Sequence, residues 1–285
     1  MRFAYAVAAS LFILIALVDL SAGAMSFPPP DAITLRGKLN TTCFPNRGGR
    51  AYLQMEVITA VASRHDLFRE HRYPMNITVV LDRSGSMAEE GKLENAKDAI
   101  LSLVDRLSSD DYLGIVIYDD QIETILPIQR LRDKSCIRRL MEEIYPRGAT
   151  NLGGGMTEGF RQIEQNFKHE YINRVILLSD GLANRGITDR GELHRLAEQY
   201  RNRSISLSTI GVGLDYNENL MLGLAEHGGG NYYFVESPRQ LASIFEHELS
   251  GLNNVIARNA EIVLTPGRDV TLADVIGCRW RSEGD

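Results

Sequence analysis

Short apolar runs alternate with longer amphipathic segments between residues 75 and about 249. The runs do not alternate with polar positions, which is typical of strands that are covered on both faces. The amphipathic segments carry apolar side chains at helical spacing. The predicted strands are residues 75–82, 112–118, 123–126, 173–179, 204–211 and 231–235. The predicted helices are residues 92–107, 133–144, 152–168, 189–202, 217–226 and 237–249.

This order of elements predicts an α/β fold, with a doubly wound, mostly parallel six-stranded sheet and helices on both of its faces. Residues 112–126 predict a hairpin around Asp119 and Asp120, whose charges we interpret as solvated turn residues, although Asp119 could lie near the cleft. Ligands of such sheets bind where the carboxyl ends of strands meet the switch in strand order. Candidate functional residues are therefore expected at the ends of the predicted strands.

The segments on either side of this sheet predict β structure of a different kind. Residues 51–57 alternate in part between apolar and polar side chains, as a half-exposed antiparallel strand does, and residues 255–276 alternate around Pro266-Gly267. We expect these segments to form a small β element outside the main sheet. The predicted division is residues 25–73 as a linker and β element, 74–250 as the α/β domain, and 251–285 as a C-terminal β segment of a truncated module.

Residues 1–24 have the features of a signal peptide. Arg2 precedes an apolar run over residues 3–18, and Ala22-Gly23-Ala24 fits the small-residue rule for cleavage. We therefore expect an exported protein, either periplasmic or extracellular at the cell surface. The alternative is an uncleaved membrane anchor, although Asp19 ends the run before the roughly eighteen apolar residues that a membrane span needs.

Length and charge narrow the class of protein further. The chain has 285 residues and a formal net charge of −6. This length suits one α/β domain of ordinary size with smaller flanking pieces. Nucleic acid is not expected as a partner, because phosphate binding needs a concentrated basic face.

The three cysteines have different expected environments. Cys136 falls on the apolar face of the helix predicted at 133–144, so we expect a buried free thiol. Cys43 and Cys278 lie at opposite ends of the mature chain and can pair only if those ends meet. Whether they pair stays open.

One predicted strand ends abruptly in a carboxylate followed by two hydroxyls. The chain runs from the apolar strand through Asp82, Ser84 and Ser86, and we expect Gly85 to let the turn fold tightly. The three side chains can then converge on one point. Oxygen ligands of this kind suit Mg²⁺, Ca²⁺ or Mn²⁺, and two neutral hydroxyls leave such an ion in need of a further carboxylate.

Two downstream segments extend the pattern. Thr150 lies in a loop before a predicted helix, and Asp180 follows a second buried strand. In this order and spacing, the three segments resemble the metal-ion-dependent adhesion site of the von Willebrand factor A domain. The alternative interpretation, from the residues alone, is that these side chains cap a helix and ordinary turns.

The resemblance implies that five residues surround one divalent ion, Mg²⁺ or else Ca²⁺ or Mn²⁺. Ser84, Ser86 and Thr150 would bind it directly, while Asp82 and Asp180 would supply negative charge, mostly through bound waters. The remaining coordination position would accept an Asp or Glu carboxylate from another protein. The β segments that flank the domain resemble those of exported bacterial proteins grouped with calcium-activated chloride channel and inter-alpha-trypsin inhibitor relatives.

Common catalytic motifs are missing from the sequence. The zinc-protease motif H-E-x-x-H begins at His247, but Gly251 stands in the place of its second histidine, and no P-loop lysine, G-x-S-x-G or Cys-x-x-Cys motif occurs. We therefore predict a non-enzymatic, divalent-cation-dependent protein-binding module that serves in adhesion or as a scaffold. The alternative is an accessory subunit that helps to assemble an exported enzyme or a membrane complex.

Overall fold

The computed structural model describes residues 33–41, 48–59, 73–180, 183–213, 217–253, 262–267 and 269–277. It divides the chain into two compact units, one of residues 66–255 and the other of residues 1–65 with 256–285. No helix among the described residues is long and apolar enough to cross a membrane. Residues 1–24, Cys43 and Cys278 fall outside the described residues, so the predicted signal peptide and the expectations for the two cysteines stay predictions.

Two antiparallel strands form the described sheet of the smaller unit. Strand β1 (Ile33–Leu39) pairs with strand β2 (Leu53–Thr59), with Leu35 opposite Val57. Half-buried and exposed side chains alternate over the first part of β2, as the sequence pattern predicts. Of the C-terminal β segment, the structure describes residues 262–267 and 269–277, which carry one isolated bridge residue, Thr265. The predicted division into domains stays a prediction.

The larger unit contains one sheet of six strands and six α-helices among its described residues. The strands are β3 (Met75–Asp82), β4 (Tyr112–Tyr118), β5 (Ile122–Arg130), β6 (Ile172–Ser179), β7 (Ser206–Val212) and β8 (Gly229–Val235). The helices are α1 (Lys92–Arg106), α2 (Ser135–Glu142), α3 (Leu152–Gln165), α4 (Arg190–Arg201), α5 (Glu218–Gly228) and α6 (Leu241–Asn253).

The strand order in the sheet is β5-β4-β3-β6-β7-β8. Only β5 runs antiparallel to its neighbour, and the other neighbouring strands are parallel. These observations confirm the predicted α/β fold. The chain passes from β3 to β4 on one side and later returns to β6 on the other, so the strand order switches at β3. The crevice expected in such folds therefore lies at the carboxyl ends of β3 and β6.

Helices cover both faces of the sheet. Ile77 and Leu81 of β3 pack in a core with α1, α2 and α6, whereas Val80 packs in a second core with α3, α4 and α5. All eight residues of β3 and all eight of β6 are buried. Burial on both faces explains why the apolar runs of the central strands do not alternate with polar residues.

The edge strand β5 is longer than the predicted strand at 123–126. It contains Pro127, which cannot donate a backbone hydrogen bond to a neighbouring strand. The register between β4 and β5 shifts around Ile115, which pairs with Leu126. An edge position and a local irregularity are where a sheet tolerates proline, so β5 continues past it.

The prediction that Cys136 is buried is wrong. Cys136 is exposed, and its thiol donates to the backbone carbonyl of Asp133 at 3.4 Å. The buried stripe of this segment consists of Ile137, Met141 and Ile144, with Cys136 to one side of it. The helix therefore buries a narrower face than its apolar composition predicts.

A buried polar cluster fastens α6 to the sheet. The Glu248 carboxylate is fully buried and accepts hydrogen bonds from Ser208 Oγ at 2.6 Å, Asn231 Nδ2 at 2.8 Å and Tyr233 OH at 2.7 Å. Arg174 Nε lies 3.7 Å from the same carboxylate. The cluster joins one helix to strands β6, β7 and β8, because each strand supplies at least one of these side chains.

We expect Glu248→Gln to lower the free energy of unfolding by about 3 kcal/mol, because it leaves the buried Arg174 guanidinium without its counter-charge. Urea unfolding at pH 7 measures this change. Glu246→Gln on the same helix is the matched control. Glu246 pairs with Arg106 at an exposed position, so its loss should cost less than about 1 kcal/mol. Equal losses in the two variants would contradict the prediction.

Candidate metal centre

The loop that follows β3 folds back on the carboxylate at its start. The backbone N–H of Ser84 donates to Asp82 Oδ1 at 2.8 Å, and the hydroxyls of Ser84 and Ser86 lie 3.2 Å apart. The expectation that Gly85 is needed for a tight turn is not supported, since a Cβ there would only reach ordinary contact, 3.6 Å from Gly148 O. The glycine that the loops require is Gly148, whose φ is +71° and where a Cβ would clash with Asp120.

Asp180 meets this loop from the end of β6. Its Oδ1 accepts a hydrogen bond from Ser86 Oγ at 2.7 Å, and its Oδ2 accepts one from Lys92 Nζ at 2.9 Å. Asp82, Ser84, Ser86 and Asp180 therefore form one connected set of side chains and backbone groups. The structure brings together four of the five predicted residues by direct contact.

Thr150 reaches the same region through its loop. The backbone N–H of Gly85 donates to Gly148 O at 3.2 Å, which joins the two loops. Thr150 is buried, and Asn184 holds its backbone through hydrogen bonds of 2.9 and 3.1 Å. Among the described contacts, no hydrogen bond links the Thr150 hydroxyl to the other four residues, so its position depends on the backbone of the loop.

A second buried carboxylate holds the two loops together. Asp119 Oδ2 accepts hydrogen bonds from Arg83 Nε and Arg147 Nε, both at 2.8 Å, and the Arg147 backbone N–H donates to Arg83 O at 2.8 Å. Asp119 is fully buried, so its interpretation as a solvated turn charge is wrong, while Asp120 is exposed. Burial opposes ionisation of Asp119, but the bond from Arg147, the Gln121 backbone and the charge of Arg83 lower its pKa overall.

The environment of Asp82 is unfavourable for a negative charge. Burial raises the pKa of Asp82 from 3.8 to about 6, and the nearby Asp180 carboxylate adds to the increase. Hydrogen bonds from Ser179 Oγ at 2.7 Å and from the Ser84 backbone act in the opposite direction. Tyr118 OH also donates to Asp82 Oδ2, at 3.3 Å. A buried carboxylate whose negative charge is disfavoured in this way would be stabilised by a nearby cation.

Oxygen atoms of hydroxyls and carboxylates make up the candidate ligand set. Within the described ranges, no group of three or more His, Cys, Asp or Glu side chains is arranged to hold a metal ion. A metal at this crevice would therefore be held by serine and threonine hydroxyls together with Asp82 and Asp180. This donor set fits a hard divalent cation, as the sequence predicts.

Sequence reasoning missed three residues that contact the predicted set. Ser179 and Tyr118 bond to Asp82, and Lys92 bonds to Asp180. Ser179 had a local signal, because it is the last residue of the strand that precedes Asp180. Tyr118 and Lys92 had none, since their contacts span 36 and 88 positions of the chain.

Residues 76–247 match the von Willebrand factor type A domain family. The chain belongs to this family. Domains of this family commonly act as metal-dependent protein-interaction modules. The wider sequence similarity includes the uncharacterized protein sll0103 of Synechocystis, 29% identical over 223 residues, which are 78% of this chain and 52% of that protein. It also includes the human inter-alpha-trypsin inhibitor heavy chain H3, 27% identical over 67% of this chain and 23% of that protein.

The chain thus spans about half the length of the first relative and about a quarter of the second. The expected similarity to inter-alpha-trypsin inhibitor relatives is confirmed, while the grouping with calcium-activated chloride channels stays a prediction. A solved structure of proximal thread matrix protein 1 from the mussel byssus, with a zinc-occupied MIDAS motif, superposes with a TM-score of 0.53. It is 20% identical and covers 62% of this chain and 48% of its own, so it supports the fold alone.

The raised pKa of Asp82 predicts a pH-dependent stability in the metal-free protein. Because folding raises this pKa, the folded state holds a proton on Asp82 more tightly than the unfolded state does. The resulting stabilisation is lost as the pH rises from about 4 through about 6. In EDTA, the free energy of unfolding of wild type should therefore fall by about 2 kcal/mol relative to that of Asp82→Asn between pH 4.5 and pH 7.5. Urea unfolding of both proteins measures the difference, and a difference that does not change with pH would refute the prediction.

Proposed function

We propose that the α/β domain is a divalent-cation-dependent protein-binding module of an exported protein. Ser84, Ser86 and Thr150 would hold the ion directly, and Asp82 and Asp180 would supply the negative charge around it. The observation that carries this proposal is the contact set at the ends of β3 and β6. There the Ser84 and Ser86 hydroxyls lie 3.2 Å apart and Ser86 reaches Asp180 at 2.7 Å.

The residues of this chain prepare the site for a cation. Asp82 and Asp180 are buried, and burial disfavours the charge on Asp82. The hydroxyl groups are neutral oxygen donors, which suit Mg²⁺, Ca²⁺ or Mn²⁺. When bound, the ion would offer an open coordination position to an Asp or Glu carboxylate of a partner protein.

The surroundings of the site support binding rather than catalysis. Asp82 accepts hydrogen bonds from Ser84, Ser179 and Tyr118, so its carboxylate is already engaged. Asp180 is engaged by Ser86 and Lys92. The sequence also lacks the common catalytic motifs that would supply a nucleophile or an acid–base pair beside these carboxylates. We therefore propose that the domain is not an enzyme.

Partner recognition would take place at the crevice and its rim. A shallow cleft of about 520 Å³ adjoins Thr150 and is lined by Asp120, Gly148, Ala149, Asn151, Arg185 and Gly186. Arg185 is exposed beside the site. Export would place this surface in the periplasm or outside the cell, as residues 1–24 predict.

Ser86→Ala tests the metal site without removing a charge. We expect wild type to bind one Mg²⁺ or Mn²⁺ ion and Ser86→Ala to bind it at least about tenfold more weakly, because a hydroxyl that faces both Ser84 and Asp180 is lost. Isothermal titration calorimetry on the full chain measures both affinities.

Ser206→Ala is the matched control for this experiment. Ser206 is half-buried at the amino end of β7, at the opposite end of the strands from the crevice, and its hydroxyl donates to Asn173 O at 3.3 Å. This variant should bind metal as wild type does. Loss of binding in both variants, or in neither, would argue against the proposed site. Affinity capture of proteins from an exported-protein extract, with Mg²⁺ and with EDTA, then tests whether the metal is needed for partner binding.

A further inference from the structure

Lys92 is a buried cation in contact with the candidate metal centre. Its Nζ donates to Asp180 Oδ2 at 2.9 Å, and the side chains of Lys92 and Asp180 are 7% and 0% exposed. Lys92 is the first residue of α1, and the short 3₁₀ segment before it, Gly85–Gly91, contains Ser86. The two partners of Asp180 therefore lie six residues apart, on either side of a kink at Glu89 and Glu90.

The backbone at Gly213 lies close to the end of the Lys92 side chain. Gly213 adopts a φ of +85°, and a Cβ at this position would lie 3.1 Å from Lys92 Cε and 3.3 Å from Nζ. A side chain at 213 would press on the ammonium group or its methylene stem. Lys92 thus packs against the turn that follows β7 and bonds to Asp180 after β6.

Lys92 is the one basic side chain that contacts Asp82 or Asp180 among the described residues. The nearest alternative in sequence, Arg83, is turned away and bonds to Asp119 at 2.8 Å, with Glu123 at 3.3 Å. Two ionised carboxylates and one ammonium leave the centre with a formal charge of minus one. A divalent ion would change this charge to plus one, whereas without Lys92 the loaded centre would be neutral.

We propose that Lys92 sets the charge of the candidate centre and thereby favours a carboxylate partner. It lowers the metal affinity, and it leaves the loaded centre with a positive charge that a partner carboxylate neutralises. This inference rests on the proposed metal-binding function. The physical basis is repulsion between the ammonium group and a divalent cation that Asp180 would also help to hold, because the Lys92 and Asp180 side chains are buried and their charges are weakly screened. A lysine that only stabilised the fold would affect stability and leave the two affinities unchanged.

Lys92→Met separates these roles because it removes the charge and keeps an unbranched apolar side chain. We expect the variant to bind Mn²⁺ at least about tenfold more tightly than wild type. Adding acetate as a simple carboxylate, at constant ionic strength, should strengthen Mn²⁺ binding to wild type severalfold and have a smaller effect on the variant. Titration calorimetry on the full chain gives both affinities, with and without acetate.

Lys97→Met is the matched control. Lys97 lies on the same helix with a side chain that is 8% exposed, but it pairs with Glu94 at 2.7 Å, away from the centre. Its replacement should change neither the Mn²⁺ affinity nor the acetate effect. Unchanged or weaker Mn²⁺ binding in Lys92→Met, with wild type binding normally, would overturn the role of Lys92 and leave the metal site intact. Failure of wild type to bind Mn²⁺ would overturn the proposed function itself.

Thermal unfolding keeps the test decisive if Lys92→Met folds poorly. Ligands that bind only the folded state raise the unfolding temperature according to their affinity. Saturating Mn²⁺ should therefore raise the midpoint of Lys92→Met, and of a second neutral variant, Lys92→Gln, by more than it raises that of wild type. An equal or smaller increase in both variants would contradict the proposal.

Discussion

Asp82 ends β3 and Asp180 directly follows the neighbouring strand β6, and both carboxylates are buried. Their positions follow from the core, because β3 and β6 are buried along their whole length and their ends share one crevice. Placing two negative charges there is unfavourable, as the raised pKa of Asp82 indicates. Much of the polar structure around the crevice offsets this cost. Asp82 accepts hydrogen bonds from Ser179, Tyr118 and the Ser84 backbone. Asp180 accepts hydrogen bonds from Ser86 and Lys92.

The basic side chains near the crevice bind two different carboxylates. Arg83 and Arg147 both bond to Asp119, which ties the loop after β3 to the loop that carries Thr150. The two guanidinium groups are thereby committed to a carboxylate outside the metal set. Lys92 remains to compensate Asp180. Arg83 and Arg147 thus join the two loops without neutralising Asp82 or Asp180, which suits a site that holds a cation.

Some features of this domain were predictable because they depend on residues close together in sequence. The apolar runs of β3 and β6 indicate strands that are covered on both faces, and the alternation with amphipathic helices indicates a parallel sheet. The hydroxyls after Asp82 follow from the same local pattern. The prediction for Cys136 failed because a helical pattern marks an apolar face but does not set how wide a stripe the neighbouring elements cover. The interpretation of Asp119 failed because its two arginine partners come from different loops.

Local periodicity and chain connectivity are enough to predict the order of elements, the class of fold and the residue types at the ends of β3 and β6. The set of side chains that meet across the crevice could not be predicted in this way. Lys92 lies 88 positions along the sequence from Asp180. Gly148 is likewise distant in sequence from Gly85, from whose backbone N–H its carbonyl accepts a hydrogen bond. Contacts of this range depend on how the helices and loops pack against the sheet. The charge of the candidate centre is therefore a property of the folded domain.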